Sequence, residues 1–497
     1  MSQPEGIERF GYRQELRRTI GFADLVFYGL IFMVPIAPFG IFGTSFQTSQ
    51  GMVPLAYGVA LVALIFTAWS YSQMSAAFPM TGGVYNYAGR GMGAPMGFIA
   101  GWMILLDYML VPSLLYVIAG FAMSTAMAPI LALPPWAWLL IFLAVNTIFN
   151  ATGMKITLGV TRLFIVGELL VLGIFLVVGV VGIASGKAHF SFDPIFNPDA
   201  FSWKIILTAA SVTVLSFLGF DGIALLAEEN RGQAKRLGRA MTLALMLAGV
   251  LFIAQTWVAS LFTDSDKLLH SNPQASDVSN AFYIAAHNAG GAWLATLCAA
   301  ATALAWGIAD SMVAQVASSR LMYAMARDRQ LPRFLSKVSV RFGVPINAVF
   351  IASTISLLIG LTTFEFLPTS GGGTDILPAL GMHIPEGDSI NFLSSIVNFG
   401  AICSFLVLHL AVIWHFFFKQ RTGKVFSHLI MPLCGLIVLG SVAWSTKSSA
   451  QYLGGSWLLL GVVILVAMYS FGRKPTLPQS LDATHAPVPT PQPSARG

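Results

Sequence analysis

Charge is what this chain has least of. Only 10% of its 497 residues are Asp, Glu, Lys or Arg, against about 25% in soluble proteins. That is too little to solvate a globular surface, which excludes an ordinary soluble domain. Cysteine is scarce too. Cys298, Cys403 and Cys434 fall inside apolar runs at no motif spacing, so neither a disulfide framework nor a metal site is implied. His-Glu-x-x-His, Gly-x-Ser-x-Gly and the phosphate-binding Gly-x-x-x-x-Gly-Lys-Ser/Thr loop are all missing, which argues against hydrolytic enzymes and ATP-driven pumps. No selectivity-filter motif of a channel is visible. The reading is of a chain that is not an enzyme and carries no organic cofactor.

Apolar sequence fills the space that charge leaves. Hydrophobic residues make up 56% of the chain and the mean hydropathy is +0.75. The apolar residues come in runs long enough for a hydrocarbon slab about 30 Å thick. These runs lie near 20–46, 52–77, 95–127, 135–152, 157–184, 203–227, 238–262, 280–325, 344–366, 390–418, 427–446 and 452–472. The expectation is an all-α integral membrane protein of about twelve spans, with the lipid bilayer as its surroundings. The first residues, with Glu5, Glu8, Arg9, Arg13, Glu15, Arg17 and Arg18, lack the apolar core and cleavage site of a secretory signal. The first run therefore reads as a retained helix.

An even number of spans puts both chain ends on one side. Of the 27 Lys and Arg residues, all but Lys187, Lys204, Lys267 and Lys447 then fall on that side. Basic loops stay in the cytoplasm, so both termini are expected there. The sequence pI of 9.2 follows from this topology and calls for no nucleic-acid partner. The tail 475–497, rich in Pro, Thr, Ser and Ala, reads as disordered.

Two spans are interrupted. The first reads Val34-Pro35-Ile36-Ala37-Pro38-Phe39-Gly40 and the sixth Leu218-Gly219-Phe220-Asp221-Gly222. A membrane helix satisfies its own backbone hydrogen bonds, so breakers at mid-depth matter. Interruptions at matching places in two halves point to a transporter built from inverted repeats, with its solute site where the broken ends meet. A Pro-kinked or Gly-packed ordinary helix is the plainer reading of each break taken alone.

Four motifs carry a resemblance. They are Phe78-Pro79-Met80-Thr81-Gly82-Gly83-Val84-Tyr85 with Gly101-Trp102, Asn150-Ala151-Thr152-Gly153, Phe217-Leu218-Gly219-Phe220-Asp221 with Glu228-Glu229, and Ser319-Arg320-Leu321-Met322-Tyr323-Ala324 with Leu331-Pro332. Through them the chain resembles the amino acid–polyamine–organocation family of permeases. The resemblance implies a five-plus-five inverted repeat followed by two further helices. The corresponding boundaries are an N-terminal cytoplasmic segment 1–19, a first repeat 20–184, a second repeat 203–418, and helices 11 and 12 over 427–472. The segment Leu105-Leu106-Asp107-Tyr108 and the Val34-Pro35 break resemble putrescine-importer-like members. Amino-acid permeases of the family usually have a denser Gly/Ser run in the first helix, whose amides hold a carboxylate. Proline has no N–H to offer an anion.

Carboxylates inside the bilayer cost about 2.5–3.5 kcal/mol each on insertion scales, so each invites a functional reading. Asp107 lies about 18 Å into the third span at 1.5 Å per residue, with Tyr108 beside it as an aromatic face for a cation. It reads as an ammonium anchor or as a structural carboxylate. Asp221 reads as a substrate acceptor or as a cap of the half-helix that follows it. Asp310, in the eighth span, reads as a substrate or ion contact, or as a tie to another helix. Glu168, mid-way along the fifth span, stands where some family members carry a lysine thought to replace a coupling cation. A carboxyl group out of water favours its neutral form and can carry a proton, and an interhelical hydrogen bond is the alternative. Glu228 and Glu229 read as a cytoplasmic gate, paired near Arg231 and Lys235. With Pro35, Ala37 and Gly219 at the breaks, Phe39, Phe217 and Phe220 complete the candidate substrate site.

Several intramembrane acids with no intramembrane Lys or Arg suit a diamine. The expected function is a secondary importer of a small cationic amine such as putrescine, coupled to H⁺ or Na⁺, in a bacterial-type inner membrane. An amino-acid permease is the alternative. No sequence feature sets the oligomeric state.

Overall fold

A computed structural model of the chain describes residues 8, 10–11, 15–127, 130–271, 275–366, 389–446, 448–471, 475 and 477. Among these residues the structure is helical, with no β-strand and one isolated parallel bridge between Ile20 and Asn230. Ten helices are long and apolar enough to cross a bilayer. The pair Phe22–Met33 and Pro38–Thr48, bent by 53°, forms a further span, and the shorter apolar helix at Ile346–Thr362 brings the count to twelve. The expected all-helical membrane architecture is present.

The third span (Ala94–Met127), fourth (Pro135–Thr152) and ninth (Ile346–Phe366) pack around the eighth. The second (Val53–Ala77) packs against the seventh (Lys235–Leu261), and the seventh against the first. The first span is buried on every face from Tyr28 to Phe39. By contrast the fifth (Met154–Ala184) exposes Leu163, Val166, Leu170 and Val177 along one face. That contrast sorts the helices: exposed apolar stripes face lipid, while an all-round buried helix belongs to the centre of the bundle.

One expected helix divides. The run 280–325 is two elements, a helix Ala281–Gly290 and a span that begins at Ala292. Gly291 between them has φ +90°, a conformation closed to residues with a Cβ. The freed helix packs on the second half of the first span, Pro38–Thr48, and the short helix before it, Ala275–Ser279, brings the Val278 carbonyl so close to Gly43 that a side chain there has no room.

Specific contacts tie the spans together. Trp102 and Trp457 stack at 4.4 Å, and each indole N–H donates to the other's carbonyl at 2.9 Å, clasping the third span to the twelfth (Ser448–Ser470). His409, isolated in the sequence, is paired in the fold: its ring nitrogens meet Ser70 at 2.8 Å and Thr67 at 3.3 Å. At the face that carries the first and last described residues, here the terminal face, Thr19 and Ile20 donate to the Glu229 carbonyl and Arg231 returns a bond to Ile20. Of the tail expected to be disordered, Pro475 is buried and Leu477 packs on Gly89; apart from these two, the tail lies outside the described residues.

Candidate functional site

Both interruptions are real, and each has a local cause. In the first span Pro35 and Pro38 withhold backbone N–H groups, and Val34 takes a φ of +49°. Tight turns absorb the rest: Ala37 donates to Val34 at 2.7 Å and Phe39 to Ile36 at 2.9 Å. The freed Pro35 carbonyl accepts from Gln255 of the seventh span at 2.8 Å. In the sixth span the α-helix Trp203–Thr213 gives way to 3₁₀ turns on either side of Gly219, whose φ is +115°. The two breaks meet. The Phe32 ring lies so close over Gly219 and Gly222 that a Cβ at either would sit 2.6 Å from it.

A cavity of about 50 Å³ opens beside this crossing, room for a few water molecules at about 10–15 Å³ each. The first span contributes Phe32, Met33, Val34, Ala37 and Ile41, and the sixth Leu215, Ser216, Leu218 and Gly219. One face of the third span supplies Asp107, Val111, Leu114, Leu115 and Ile118, and the eighth supplies Trp306 and Asp310. The third-span set recurs at i, i+4, i+7, i+8 and i+11, the spacing of a single helical face. Among the lining residues the ionisable groups are Asp107 and Asp310, and no Lys, Arg or His accompanies them. Both are buried, at 1% and 6% exposure, and the Oδ1 of each has no hydrogen-bond partner.

Asp310 ends a π-helical turn, Ala305–Asp310, set into the eighth span. Such wide turns free backbone carbonyls and recur at functional sites. Asn146 of the fourth span satisfies this one, donating to the Gly307 carbonyl at 3.0 Å and to Ser311 Oγ at 2.8 Å. One helical turn on, Asn150 donates to the Met312 carbonyl at 2.9 Å.

Asp221 is placed differently from Asp107 and Asp310. It is buried but does not line the cavity. Its carboxylate accepts from Tyr108 Oη at 2.5 Å, Tyr71 Oη at 3.4 Å and the Gly219 N–H at 3.3 Å. These bonds satisfy a buried acid and hold the sixth-span break to the second and third spans. Tyr108 is thereby turned to Asp221, and its ring stacks with Phe32 at 6.3 Å.

The aromatic candidates form walls. Phe39 stacks on Phe282 at 3.9 Å, with Phe175 beside both. Phe217 packs with Tyr57 and Phe252, and Phe220 with Tyr71 and Phe405. Of the expected substrate set, Ala37, Asp107, Gly219 and Asp310 line the cavity; Pro35, Phe39, Tyr108, Phe217, Phe220 and Asp221 do not. Glu168 is 3% exposed, and neither carboxyl oxygen has a hydrogen-bond partner. It lies outside the cavity lining, near enough to Asp310 for their charges to interact.

The two glutamates at the terminal end of the sixth span pair across the bundle rather than with Arg231 and Lys235. Glu228 accepts from both terminal guanidinium nitrogens of Arg327, at 3.0 and 2.9 Å, and from the Thr81 N–H at 3.0 Å. Glu229 receives Arg320 Nε at 3.0 Å, with both side chains buried at 1% and 2% exposure. Arg320 therefore corrects the expectation of a bundle without interior cations. Its place in a motif hid its depth, and so did its position near a basic loop. Tyr71, Trp306 and the 111–118 face were also missed. The i, i+4, i+7 spacing from Asp107 was the available signal for that face.

Two broken helices that cross beside an acidic cavity, with ion pairs at one end of the sixth span, are the features of a membrane carrier. Residues 25–468 match the amino acid permease family, and the chain belongs to that family. Over 95% of its length it is 29% identical to the low-affinity putrescine importer PlaP of Escherichia coli, covering 97% of that protein. It is 26% identical to the branched-chain amino acid permease BcaP of Bacillus subtilis, with 91% and 93% of the two chains covered. It is 23% identical to the methylthioribose transporter of Bacillus subtilis, over 93% and 95%.

Proposed function

We propose that this permease imports a small cationic amine, with putrescine as the leading substrate, by alternating access driven by H⁺ or Na⁺. The carrying observation is the cavity's charge. Its ionisable lining consists of two buried carboxylates, each with an unpartnered oxygen, and no lining cation would meet a substrate carboxylate. The prolines of the first-span break remove N–H groups that would otherwise bind an anion. The similarity to PlaP supports the same reading.

In this proposal Asp107 and Asp310 contact the amine, with Ala37 and Gly219 giving the backbone its close approach. Asp221 and Tyr108 hold the sixth-span break, and Pro35, Phe39, Phe217 and Phe220 shape the walls around it. Glu168 carries the coupling proton or neighbours the coupling cation. The cavity is too small for a diamine, so loading requires the first and sixth spans to move together. Residues 20–184 and 203–418 act as the two repeats. The ion pairs of Glu228 and Glu229 form the gate on the terminal face, which we assign to the cytoplasm of a bacterial-type inner membrane.

The apolar wall of Val111, Leu114, Leu115 and Ile118, with the similarity to BcaP, supports amino-acid transport as the second reading. Uptake of labelled putrescine into proteoliposomes, under separate pH and Na⁺ gradients and against an amino-acid panel, distinguishes the two. Gradient-driven putrescine uptake that amino acids do not inhibit is expected. Strong amino-acid flux without putrescine flux or competition overturns the amine reading.

A further inference from the structure

We infer that Asp107 and Asp310 form a two-ended ruler that selects a linear α,ω-diamine with four carbons between its nitrogens. This rests on the amine reading above and adds what that reading leaves open: how many charges the substrate carries and how far apart they lie.

The argument is one of depth. Two cross-ties set the third span against the eighth. Ser318 Oγ donates to the Tyr108 carbonyl, which places those two residues at one level. Farther from the terminal face, Tyr116 Oη and Ser311 Oγ both accept from Asn146 Nδ2, at 3.0 and 2.8 Å, and mark a second level. Asp107 adjoins the first level and Asp310 the second. Eight residues from Asp310 to Ser318 along the eighth span amount to about 12 Å of rise. Both carboxylates line the same cavity, and Val111, Leu114 and Leu115 lie on the third-span face that begins at Asp107.

That spacing can be compared with a ligand. Five single bonds of about 1.5 Å in an extended zigzag put the two nitrogens of a four-carbon diamine about 6 Å apart. A charge-assisted hydrogen bond of about 2.8 Å at each end brings the span between carboxylate oxygens to about 12 Å, the same scale as the backbone rise between the two residues. The three apolar side chains between the ends suit the methylenes. The charges also suit: two ammonium groups meet two acids, while Asp221 is already satisfied by Tyr108 and Tyr71. Both ends of the ruler stand on the third and eighth spans rather than on the broken ones. Its length would then persist while the first and sixth spans move.

Binding of labelled putrescine to the purified full-length protein, displaced by diamines of three to six carbons and by butylamine, tests this. The wild type should prefer the four-carbon diamine over butylamine by about 30-fold, the contribution of one hydrogen bond between charged groups. Asp107→Asn and Asp310→Asn, read by labelled butylamine if putrescine binding falls too low, should each reduce that preference to about threefold or less. Butylamine affinity itself should change less than threefold, because one carboxylate remains. Asp310→Glu adds a methylene to one end and should shift the optimum to the three-carbon diamine, which guards against loss of folding in the Asn variants. An unchanged diamine preference in both Asn variants, an equal loss for all amines, or a four-carbon optimum that survives Asp310→Glu overturns the ruler. A wild type that binds amines without regard to a second nitrogen overturns the ruler alone. A wild type that binds amino acids and no amine overturns the amine reading itself.

Discussion

At Gly219 the sixth span needs two things that only glycine offers. Its φ of +115° is closed to other residues, and the Phe32 ring occupies the place of a Cβ at 2.6 Å. Gly219→Ala therefore costs about 1–2 kcal/mol in backbone strain, plus displacement of Phe32 from the crossing. A lower melting temperature of the purified protein and loss of uptake are expected. Gly58, in the second span, is the control: a Cβ there meets nothing within 4 Å. Gly58→Ala should stabilise by about 0.5–1 kcal/mol, and equal destabilisation of both variants would refute the argument. Among the acids the residue scale separates two conditions. Asp221 is saturated by tyrosines, whereas Asp107, Asp310 and Glu168 each retain an unpartnered oxygen. A buried acid left unpaired is costly, and a cationic solute or a proton relieves that cost.

The elements are joined by charge on one side and by aromatic packing on the other. Arg320 and Glu229 tie the eighth span to the sixth at full burial. Removing one member of such a pair leaves an uncompensated charge and costs about 3–5 kcal/mol, while replacing both by apolar residues costs far less. Arg320→Met alone should therefore unfold at a clearly lower temperature than the double variant Arg320→Met with Glu229→Met, as thermal denaturation in detergent would show. If the double variant is the less stable of the two, the pair is not acting through its charge. The π turn at Ala305–Asp310, its bond to Asn146, and the bond of Asn150 to Met312 just beyond it belong to this scale as well. They tie the eighth span to the fourth where Asp310 enters the cavity, which is why the proposal assigns the movement to the first and sixth spans.

On the scale of the whole molecule, the first and last described residues share one face, and the proposal puts that face in the cytoplasm. The exposed positions His189 and Arg421 follow the fifth and tenth spans, so the alternating topology of the proposal puts them on opposite faces. His189→Cys should react with an impermeant thiol reagent on intact cells, and Arg421→Cys only after permeabilisation. The reverse pattern would invert the topology. The chain's own Cys298 is buried and Cys403 and Cys434 are half-buried within spans, which keeps the background low.

Some of this follows from composition and local chemistry. Long apolar runs require membrane helices, because a helix satisfies its own backbone in hydrocarbon and the strands of a barrel would be short and alternate in polarity. Pro35, Pro38 and Gly219 announce breaks because the missing N–H and the positive φ are properties of those residues wherever they stand. The membrane class, the approximate number of spans, the broken pair and the shortlist of acids were therefore legible in the chain alone. What each acid faces was not. Asp107 and Tyr108 are neighbours in sequence, yet one lines the cavity and the other bonds Asp221, because a helix turns by about 100° per residue. Glu228 and Glu229 find Arg327 and Arg320 rather than the nearer-numbered Arg231 and Lys235, because the eighth span packs beside the sixth. Direction around a helix axis and the choice of neighbouring helix are set by packing between segments far apart in sequence, and only the tertiary structure decides them.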